Sequence, residues 1–441
     1  MSFPRYPRYK PSGIEWLVEL PHQWNIERVR WLCKIQKRIV GELGYDVLSI
    51  TQRGIKVKDL ESNDGQISMD YSKYQLVQPG DFAMNHMDLL TGWIDVSLIS
   101  GVTSPDYRVF SIRDPSVCDP RYLLYIFQMG YSNRIFYAYG QGSSQMGRWR
   151  LPTEQFNDLR FPVPPRDEQI AISTFLDRET AKIDELVVEQ ERLIELLKQK
   201  RQAAISHVVT KGLNSDAPMK PSGVQWLGDV PAHWKLSPLK YVVNLRSGGT
   251  PSKTNPSFWD GDVPWASSKD LKTEDLYDTE DHISQIAVEE GAADLVPAGA
   301  LLIVVRGMIL IHTFPVAKTH VPMAINQDLK ALTPCSRINV DFLAWLLRGT
   351  SSETLGRVDE AAHGTKVLRI DTWASILLPI PPLKEQLELV SGIVANLSQL
   401  DRLMSETQRA IDLLQGRRSA LISAAVTGQI DVRGLVDSEA A

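Results

Sequence analysis

Two short motifs in this 441-residue chain approach those of methyltransferases. Asn255–Phe258 (NPSF) is similar to the [DNS]PP[YF] motif that holds a target amino group, but the second proline is missing. Ala138–Gly142 (AYGQG) is similar to a glycine-rich cofactor loop, although a short GxG pattern is weak without a preceding strand and a following helix. We interpret Asn255-Pro256 as a surface turn and predict that the chain has no methyltransferase activity.

The remaining reactive side chains form no catalytic or metal-binding pattern. The eight histidines are scattered, and Cys33, Cys118 and Cys335 lie far apart without a CxxC motif. This spacing predicts neither a zinc site nor a disulfide framework, and it is typical of a protein in a reducing cytoplasm. No PD-(D/E)xK nuclease pattern is convincing, so we predict a chain with no catalytic residues and no metal.

No segment of the sequence predicts a membrane anchor or a basic DNA-binding block. The N-terminus lacks the apolar region of a signal peptide, and the most apolar run, Leu301–Leu310, is too short to span a bilayer. We interpret that run as two buried strands around a turn at Arg306-Gly307. The net charge is −5, with +2 over residues 1–160 and −3 over residues 217–378. Any DNA binding must therefore use local patches or be shared with another subunit.

The chain is an internal duplication. Lys10–Trp24 and Lys220–Trp234 share eight of fifteen residues at an offset of 210, while Phe161–Gln169 (FPVPPRDEQ) and Leu378–Gln386 (LPIPPLKEQ) are offset by 217. The second offset continues without a gap for nearly fifty residues. A period above 200 residues indicates duplicated domains rather than a solenoid.

A long helix is predicted after each Pro-Pro pair. Eleven heptad-like positions from Ile172 to His207 include seven apolar residues, and the same positions shifted by 217 include eight. This spacing defines a coiled-coil seam, and about 40 residues give a rod of roughly 60 Å. A single stripe would fit a helix packed on its own domain, but two matched stripes favour helices that pair with each other.

Each globular region is predicted to be α/β with short strands. In the first region we predict strands over Tyr45–Ile50, Leu76–Phe82 and Tyr107–Ile112, and in the second over Gly299–Val305 and Asp328–Leu332. Two helices are predicted to begin at Asp119 and Asp341, with the aspartate as N-cap.

The ordered motifs resemble those of the specificity subunits of type I restriction-modification systems. They include SGxxWL–P–W, DFAMNHMDL, GVTSPDYRVF and FPVPPRDEQ in the first half, and RGMILIHTFPVA, INQDLKAL and LPIPPLKEQ in the second. The resemblance covers almost the whole chain. It implies two target recognition domains separated by two long helices that form an antiparallel coiled coil. The implied boundaries are residues 1–163 and 214–380 for the recognition domains, 164–213 and 381–430 for the spacer helices, and 431–441 for a C-terminal tail.

The resemblance also implies a function and partners. Each recognition domain would read one half of an asymmetric bipartite DNA target in the major groove, and the helix length would set the gap between the halves. The partners would be double-stranded DNA, two modification (methyltransferase) subunits, and restriction subunits that translocate and cleave. S-adenosylmethionine, ATP and Mg would be bound by those partners, and this chain would be non-catalytic.

We expect DNA contacts from polar loop residues, because base edges and phosphates are bound by Arg, Lys, Asn, Gln, Ser and Thr. The candidates in the first region are Thr51, Gln52, Arg53, Lys56, Lys58, Gln141, Ser143, Ser144, Gln145, Arg148 and Arg150. The candidates in the second are Thr250, Ser252, Lys253, Thr254, Asn255, Ser267, Ser268, Lys269, His363, Thr365 and Lys366. Any one of them is also explained as solvated surface.

One alternative function remains open at the level of the sequence. The net charge of −5 also fits a coiled-coil scaffold whose duplicated domains bind protein. The repeated Trp16, Trp24, Trp226 and Trp234 lie outside the divergent loops, so they favour a structural or subunit-docking role over DNA contact.

Overall fold

The computed structural model describes residues 3–52, 54–59, 71–142, 149–361 and 364–435. The chain divides into two compact units, and both boundaries fall inside a long helix, after Glu191 and after Gln408. The first unit therefore combines the N-terminal globular region with the beginning of the first long helix and the end of the second. The second unit combines the other globular region with the complementary helix segments.

The first half of the chain contains short strands and helices followed by one long helix. Its strands are β1 (Tyr9–Ile14), β2 (Leu17–Pro21), β3 (Asn25–Arg28), β4 (Cys33–Gln36), β5 (Leu48–Thr51), β6 (Gly54–Val57), β7 (Gln75–Val77), β8 (Phe82–Met84), β9 (Ile94–Val96), β10 (Gly101–Thr103), β11 (Arg108–Ile112) and β12 (Arg160–Val163). Its helices are α1 (Val29–Leu32), α2 (Pro120–Ser132), α3 (Ile135–Ala138), α4 (Thr153–Asp158) and the long α5 (Arg166–Lys211).

The second half has a similar order with additional short strands. Its strands are β13 (Met219–Pro221), β14 (Asp229–Pro231), β15 (Lys235–Pro238), β16 (Val243–Ser247), β17 (Trp259–Ala266), β18 (Asp275–Leu276), β19 (Asp281–Ile283), β20 (Leu295–Val296), β21 (Leu301–Val304), β22 (Val316–Thr319), β23 (Met323–Ile325), β24 (Leu329–Pro334), β25 (Val358–Glu360), β26 (Lys366–Leu368) and β27 (Leu377–Ile380). Its helices are α6 (Gln285–Glu289), α7 (Val340–Gly349), α8 (Ser351–Leu355), α9 (Ile370–Trp373) and the long α10 (Leu383–Val426).

The central sheets of the two globular regions have the same strand order. The first is β4-β11-β8-β9 and the second is β16-β24-β21-β22, extended by β18 at one edge. In the first region Phe82 and Phe110 are cross-strand partners and their rings stack at 5.0 Å. Phe127 of α2 packs on Phe110 at 5.2 Å, so the core lies between this sheet and α2. Such aromatic pairs stabilise a core beyond the area that they bury.

The long helices run antiparallel within each unit. In the first unit Arg418 Nε pairs with Asp184 Oδ1 at 2.8 Å, and in the second Arg201 Nε pairs with Asp401 Oδ1 at 3.0 Å. The two residue numbers in each pair sum to 602, which is the signature of one antiparallel register. The predicted fold class, two α/β globular regions with an antiparallel pair of long helices, is confirmed.

Burial along the helices follows the predicted seam at the ends and departs from it in the middle. Ile172, Leu176 and Ile183 are buried in the first unit, but Leu186 and Leu193 are 45% and 40% exposed. The buried positions lie where the helix meets a globular core as well as the partner helix. A side chain in the middle of the helix has fewer neighbours, so a seam predicted from spacing alone overestimates its burial.

A buried tryptophan–glutamate hydrogen bond joins the two repeated motifs in each unit. Trp24 Nε1 donates to Glu168 Oε1 at 3.0 Å, and Trp234 Nε1 donates to Glu385 Oε1 at 3.0 Å. Both indoles are fully buried. The bond connects the entry of each globular region to the first turn of the long helix that follows it. These two tryptophans are thus structural, in agreement with the first of the two predicted roles.

The glutamine that follows this glutamate binds the backbone at the start of the preceding helix, α2 in the first half and α7 in the second. Gln169 Nε2 donates to the carbonyls of Pro164 and Val117, both at 2.9 Å, while its Oε1 accepts from Asp119 N at 2.7 Å. Gln386 makes the equivalent three bonds, to Pro381, Arg337 and Asn339. Because buried amide groups are costly unless they are paired, these bonds fix the junction of each globular region with its helix.

Three local predictions are corrected by the structure. The predicted strand Leu76–Phe82 is interrupted by a turn at Gly80 (φ +91°), so β7 and β8 belong to different sheets. The run after Arg306-Gly307 is a 3-10 turn, Met308–Ile311, and not a second strand. The N-cap of α7 is Asn339, with Asp341 in the first turn, whereas the N-cap of α2 is Asp119 as predicted.

Candidate nucleic-acid interface

In the second unit the Gly-Pro-rich candidate loop, residues 248–255, contacts the turn at residues 326–328, which was not among the predicted sites. The hydroxyl of Thr250 donates to the side-chain oxygen of Gln327. That turn is in turn bonded to the end of β21, because Val305 N donates to Asp328 O at 2.8 Å. Gln327 is exposed, whereas the adjacent Asn326 is buried.

Residues 305–307, after β21, also bind the second candidate loop, which contains Thr365 and Lys366. Gly307 N donates to Lys366 O at 3.0 Å, and Leu368 N donates to Val305 O at 2.8 Å. Backbone and side-chain hydrogen bonds thus join four loops into one surface. We call it the loop surface of the second unit, and it comprises residues 248–255, 305–308, 326–328 and 364–366.

The candidate loop 248–255 is held by two indoles. Trp265 Nε1 donates to Gly249 O at 3.0 Å, and Trp259 Nε1 donates to Ser252 O at 3.1 Å. The hydroxyls of Ser252 and Thr254 are 2.8 Å apart, and Lys253 is exposed between them. A loop that is fixed in this way presents its polar side chains in a defined arrangement.

Asn255 and Ser267 use their side chains within turns. Asn255 Oδ1 accepts from Ser257 N at 3.2 Å and caps the 3-10 turn Pro256–Phe258, so the NPSF motif is a surface turn as predicted. Ser267 is only 9% exposed, and its Oγ donates to Asp270 Oδ2 at 3.0 Å. Ser268 beside it is half-buried.

Two candidate lysines already have carboxylate partners. Lys269 Nζ is 2.9 Å from Asp281 Oδ2 and 3.3 Å from Glu280 Oε2. Lys366 Nζ is 2.7 Å from Glu360 Oε2 across the β25–β26 hairpin. Ion pairs near the surface contribute little to the free energy of folding. Each lysine could therefore exchange its carboxylate partner for a DNA phosphate at little cost in stability.

Arg306 lies at the centre of the loop surface and was not among the predicted site residues. It is exposed, and its backbone forms an isolated β-bridge with Val367. The available signal was its position as the one charged residue inside the most apolar run of the chain, Leu301–Leu310. We interpreted that run as core, and the arginine as part of a turn.

The first unit has an equivalent pair of loops. Gln141 N donates to Arg150 O at 2.8 Å and Arg150 N donates to Gln141 O at 3.1 Å, which closes the base of the candidate loop. Leu151 N then donates to His86 O at 2.9 Å. The structure therefore places the base of this loop, residues 141 and 150–151, against the loop after β8, as it places residues 366–368 against the loop after β21.

A buried arginine supports this base. Arg108 is 4% exposed, its Nη2 donates to Leu151 O at 3.0 Å, and its guanidinium lies 4.4 Å from the centre of the Phe156 ring. Burial, together with Arg108 and Arg150, lowers the pKa of His86 to about 3. His86 is therefore neutral at physiological pH, because a second charge beside Arg108 would be unfavourable.

The other candidates of the first unit lie on the β5–β6 hairpin. Thr51 Oγ1 donates to Gly54 O at 2.9 Å across the turn, and Lys58 N donates to Val47 O at 2.7 Å. Gln52 and Lys56 are exposed, whereas Thr51 and Lys58 are half-buried. Among the described residues of the hairpin, Gln52 thus presents its amide and Lys56 its ammonium group to solvent.

Six of the predicted contact residues fall on segments outside the described part of the chain. Arg53, Ser143, Ser144, Gln145, Arg148 and His363 lie outside the described residues. Thr365 is described, and its carbonyl accepts from Ala361 N at 2.8 Å, which closes the tip of the β25–β26 hairpin. The role of all these residues in DNA binding stays a prediction.

The described part of the chain was compared with the requirements of a metal site and of a membrane-spanning helix, and it meets neither. Among residues 3–435, apart from the segments named above, there is no group of three or more His, Cys, Asp or Glu side chains that could hold a metal ion. Over the same residues, no helix combines the length and apolar character that a membrane span requires.

Comparison with known proteins finds similarity to type I restriction enzyme specificity subunits. The family model for the type I restriction modification DNA specificity domain matches residues 231–413. The EcoR124I/EcoR124II specificity subunit of Escherichia coli is 32% identical over 158 residues, which are 36% of this chain and 39% of that protein. Residues 231–413 thus match this domain family, and part of the chain is similar to a type I restriction enzyme specificity subunit.

Other known proteins match over nearly the full length of the chain. A putative MjaX specificity subunit of Methanocaldococcus jannaschii is 20% identical over 98% of this chain and 99% of its own. A solved structure from work on the complex assembly and conformational transition of the type I R-M system has a TM-score of 0.66. It is 15% identical over 93% of this chain and 99% of the other. That likeness confirms the fold of the specificity subunit. The alignment with the E. coli subunit spans about two fifths of its length.

Proposed function

We propose that this chain is the sequence-specificity subunit of a type I restriction-modification complex. Each globular region reads one half of an asymmetric bipartite DNA target, and the antiparallel helices set the gap between the halves. The chain itself is non-catalytic and directs methylation and cleavage by its partners. Those partners are two modification subunits and the restriction subunits, which bind S-adenosylmethionine, ATP and Mg, and the complex works in the cytoplasm.

One observation carries the proposal: the two halves share a frame and differ in their loops. The Trp–Glu bond and the three Gln bonds recur at equivalent positions with nearly the same distances. The candidate loops between them differ in length and sequence, for example residues 141–150 and 357–368. A conserved frame with variable loops supports two readers of different half-sites, in the way that dimeric DNA-binding proteins place two readers on two half-sites.

Exchange of one recognition region tests this proposal. Residues 29–159 are replaced by those of another specificity subunit, with junctions between β3 and α1 and between α4 and β12, so that Trp24 and Glu168 are kept. The hybrid is co-expressed with the modification subunits, and methylated sites are mapped across the host genome. We expect one half-site to change while the other half-site and the gap remain. Alteration of both half-sites would contradict two independent readers.

A further inference from the structure

Each unit contains a pocket of about 350 Å³ at the junction of the globular region and the long helix. In the first unit it is bounded by β3, the Pro164-Pro165 pair and the segment just before α2. In the second unit it is bounded by β15, the Pro381-Pro382 pair and the segment just before α7. Neither pocket includes a residue of the candidate DNA-binding loops.

The two pockets are built from equivalent positions. All ten residues that line the pocket of the second unit have their sequence equivalents in the pocket of the first. The offset is 210 for the β3/β15 side, 220 for the segment before α2/α7 and 217 for the Pro-Pro side. The pairs that form the apolar floor are Leu32 and Val242, Val163 and Ile380, Pro164 and Pro381, and Pro165 and Pro382.

Apart from one serine position, the polar residues around the rims are not shared. Asn25 corresponds to Lys235 and Glu27 to Ser237, so the charge on the strand side differs between the pockets. A small polar ligand held in both sites would need the same hydrogen-bonding groups in both. DNA is also disfavoured, because the carboxylate of Glu27 in the first pocket would repel a phosphate.

An exposed aromatic side chain stands at the same position beside each pocket. Trp31 lines the pocket of the first unit and is 67% exposed. Its equivalent at an offset of 210 is Tyr241, which is 61% exposed and precedes the lining residue Val242. Duplication alone would keep the backbone of the pocket. It would not keep an exposed aromatic residue while the polar rim diverged.

The shared features are those of a protein-docking site. Aromatic residues and apolar pockets concentrate binding energy at interfaces, whereas polar rims contribute little. Two equivalent pockets in one chain fit a partner that is present in two copies. Serine occupies one further position in both pockets, Ser116 and Ser336, and leaves room for an inserted side chain.

We infer that the two junction pockets are paired docking sites, each of which receives an apolar segment from one of two copies of the modification subunit. This inference rests on the proposed function, because that function supplies the partner in two copies. It assigns one modification subunit to each pocket, with Trp31 and Tyr241 packed against the inserted segment. The difference in rim charge changes the affinity of the two sites without changing what they bind.

The test uses the full chain co-purified with the modification subunits of its own system, and native mass spectrometry measures the stoichiometry. One set of variants removes the aromatic residue: Trp31→Ala, Tyr241→Ala and the double variant. A second set fills the pocket: Ser116→Trp, Ser336→Trp and the double variant, at two exposed positions. Leu98→Ala, at a residue that is 87% exposed, is the matched control.

We expect each single-pocket variant to raise Kd at one site by about tenfold or more, which is the effect of truncating a central interface residue. At limiting partner concentration it should retain one modification subunit per chain, and the double variants should retain none. Two bound subunits with unchanged Kd in both double variants would overturn the inference. So would loss of both subunits from every single-pocket variant. Failure of the wild-type chain to bind any modification subunit would instead reject the proposed function.

Discussion

At the scale of single residues, the EQ dipeptide after each Pro-Pro pair does most of the positioning. Glu168 accepts a hydrogen bond from the indole of Trp24, while Gln169 binds the backbone of Asp119, the N-cap of α2, and of Val117 just before it. The equivalent residues Glu385 and Gln386 repeat these contacts. The motif therefore encodes the junction of each globular region with its long helix.

Removal of the glutamate should destabilise only the unit that contains it. Glu168→Ala leaves the buried Trp24 N–H without its acceptor, so we expect the free energy of unfolding to fall by about 1–3 kcal/mol. Glu168→Gln keeps an acceptor and is expected to cost less. Urea denaturation followed by tryptophan fluorescence measures both variants. Equal losses in the two would mean that the hydrogen bond is not the cause.

Arg306 is the residue that we expect to contribute most from the loop surface of the second unit. It is exposed at the centre of four joined loops. A phosphate contact from one arginine contributes about one unit to the slope of log K against log salt. We expect Arg306→Ala, in the assembled complex, to weaken DNA binding and to reduce that slope by about one.

Arg402→Ala is the control for this measurement, because Arg402 is an exposed arginine on α10 that pairs with Glu406. Its substitution should leave the salt slope unchanged. The wild-type complex itself also discriminates between functions. A steep loss of DNA affinity with salt is expected for a DNA reader, whereas a flat response would favour a protein-binding scaffold.

At the scale of elements, the two long helices have a defined register. Asp184 pairs with Arg418 and Arg201 pairs with Asp401, and both pairs fit the same antiparallel alignment. The exposed leucines between them, Leu186 and Leu193, show that the middle of α5 is less committed to a core than its ends. Changes of length should therefore be tolerated best in this middle segment.

Matched deletions in the two helices should shorten the gap in the DNA target. The register pairs residues 189–195 of α5 with residues 407–413 of α10, and removal of seven residues keeps the heptad phase. Seven residues correspond to ~10 Å of helix, or about three base pairs at ~3.4 Å each. We expect methylation mapping to show unchanged half-sites with a gap about three base pairs shorter.

Deletion in one helix alone is the control. It breaks the alignment of Arg201 with Asp401 or of Arg418 with Asp184, so we expect a less stable chain. A gap that stayed the same after the matched deletion would refute the proposal that the helices measure the target.

At the scale of the whole molecule, each unit is assembled from segments that are distant in sequence. The end of α10 packs into the core of the N-terminal region through Leu421, Ala425 and Val426. Tyr9 Oη donates to Gly428 O at 3.0 Å, and Asp431 N donates to Pro4 O at 2.8 Å. The first recognition region is therefore completed only when the C-terminal part of the chain has been made.

The whole-molecule charge constrains how such a protein binds DNA. The net charge is −5, and neither globular region is strongly basic. Non-specific phosphate attraction is accordingly weak, and the assembled complex must supply much of the affinity. This agrees with the proposal that the chain contributes sequence reading and docking, while its partners enclose the DNA.

The sequence by itself determined the duplication, the two long helices and the motifs that join them. These features are local or periodic: the heptad spacing, the Pro-Pro pairs and the fixed offsets can each be recognised without knowing any distant contact. The N-cap at Asp119 was likewise predictable, whereas that of α7 was placed two residues too late, because Asn339 caps as well as aspartate does.

Only the tertiary structure decided which separated residues meet. It joined Trp24 to Glu168 across 144 residues, brought Gln327 and Arg306 into the surface between two predicted loops, and formed two equivalent pockets from three segments each. Such contacts depend on strand pairing and core packing between distant segments, and no local propensity specifies them. For the same reason the seam predicted by spacing was buried only where a globular core lies against the helix.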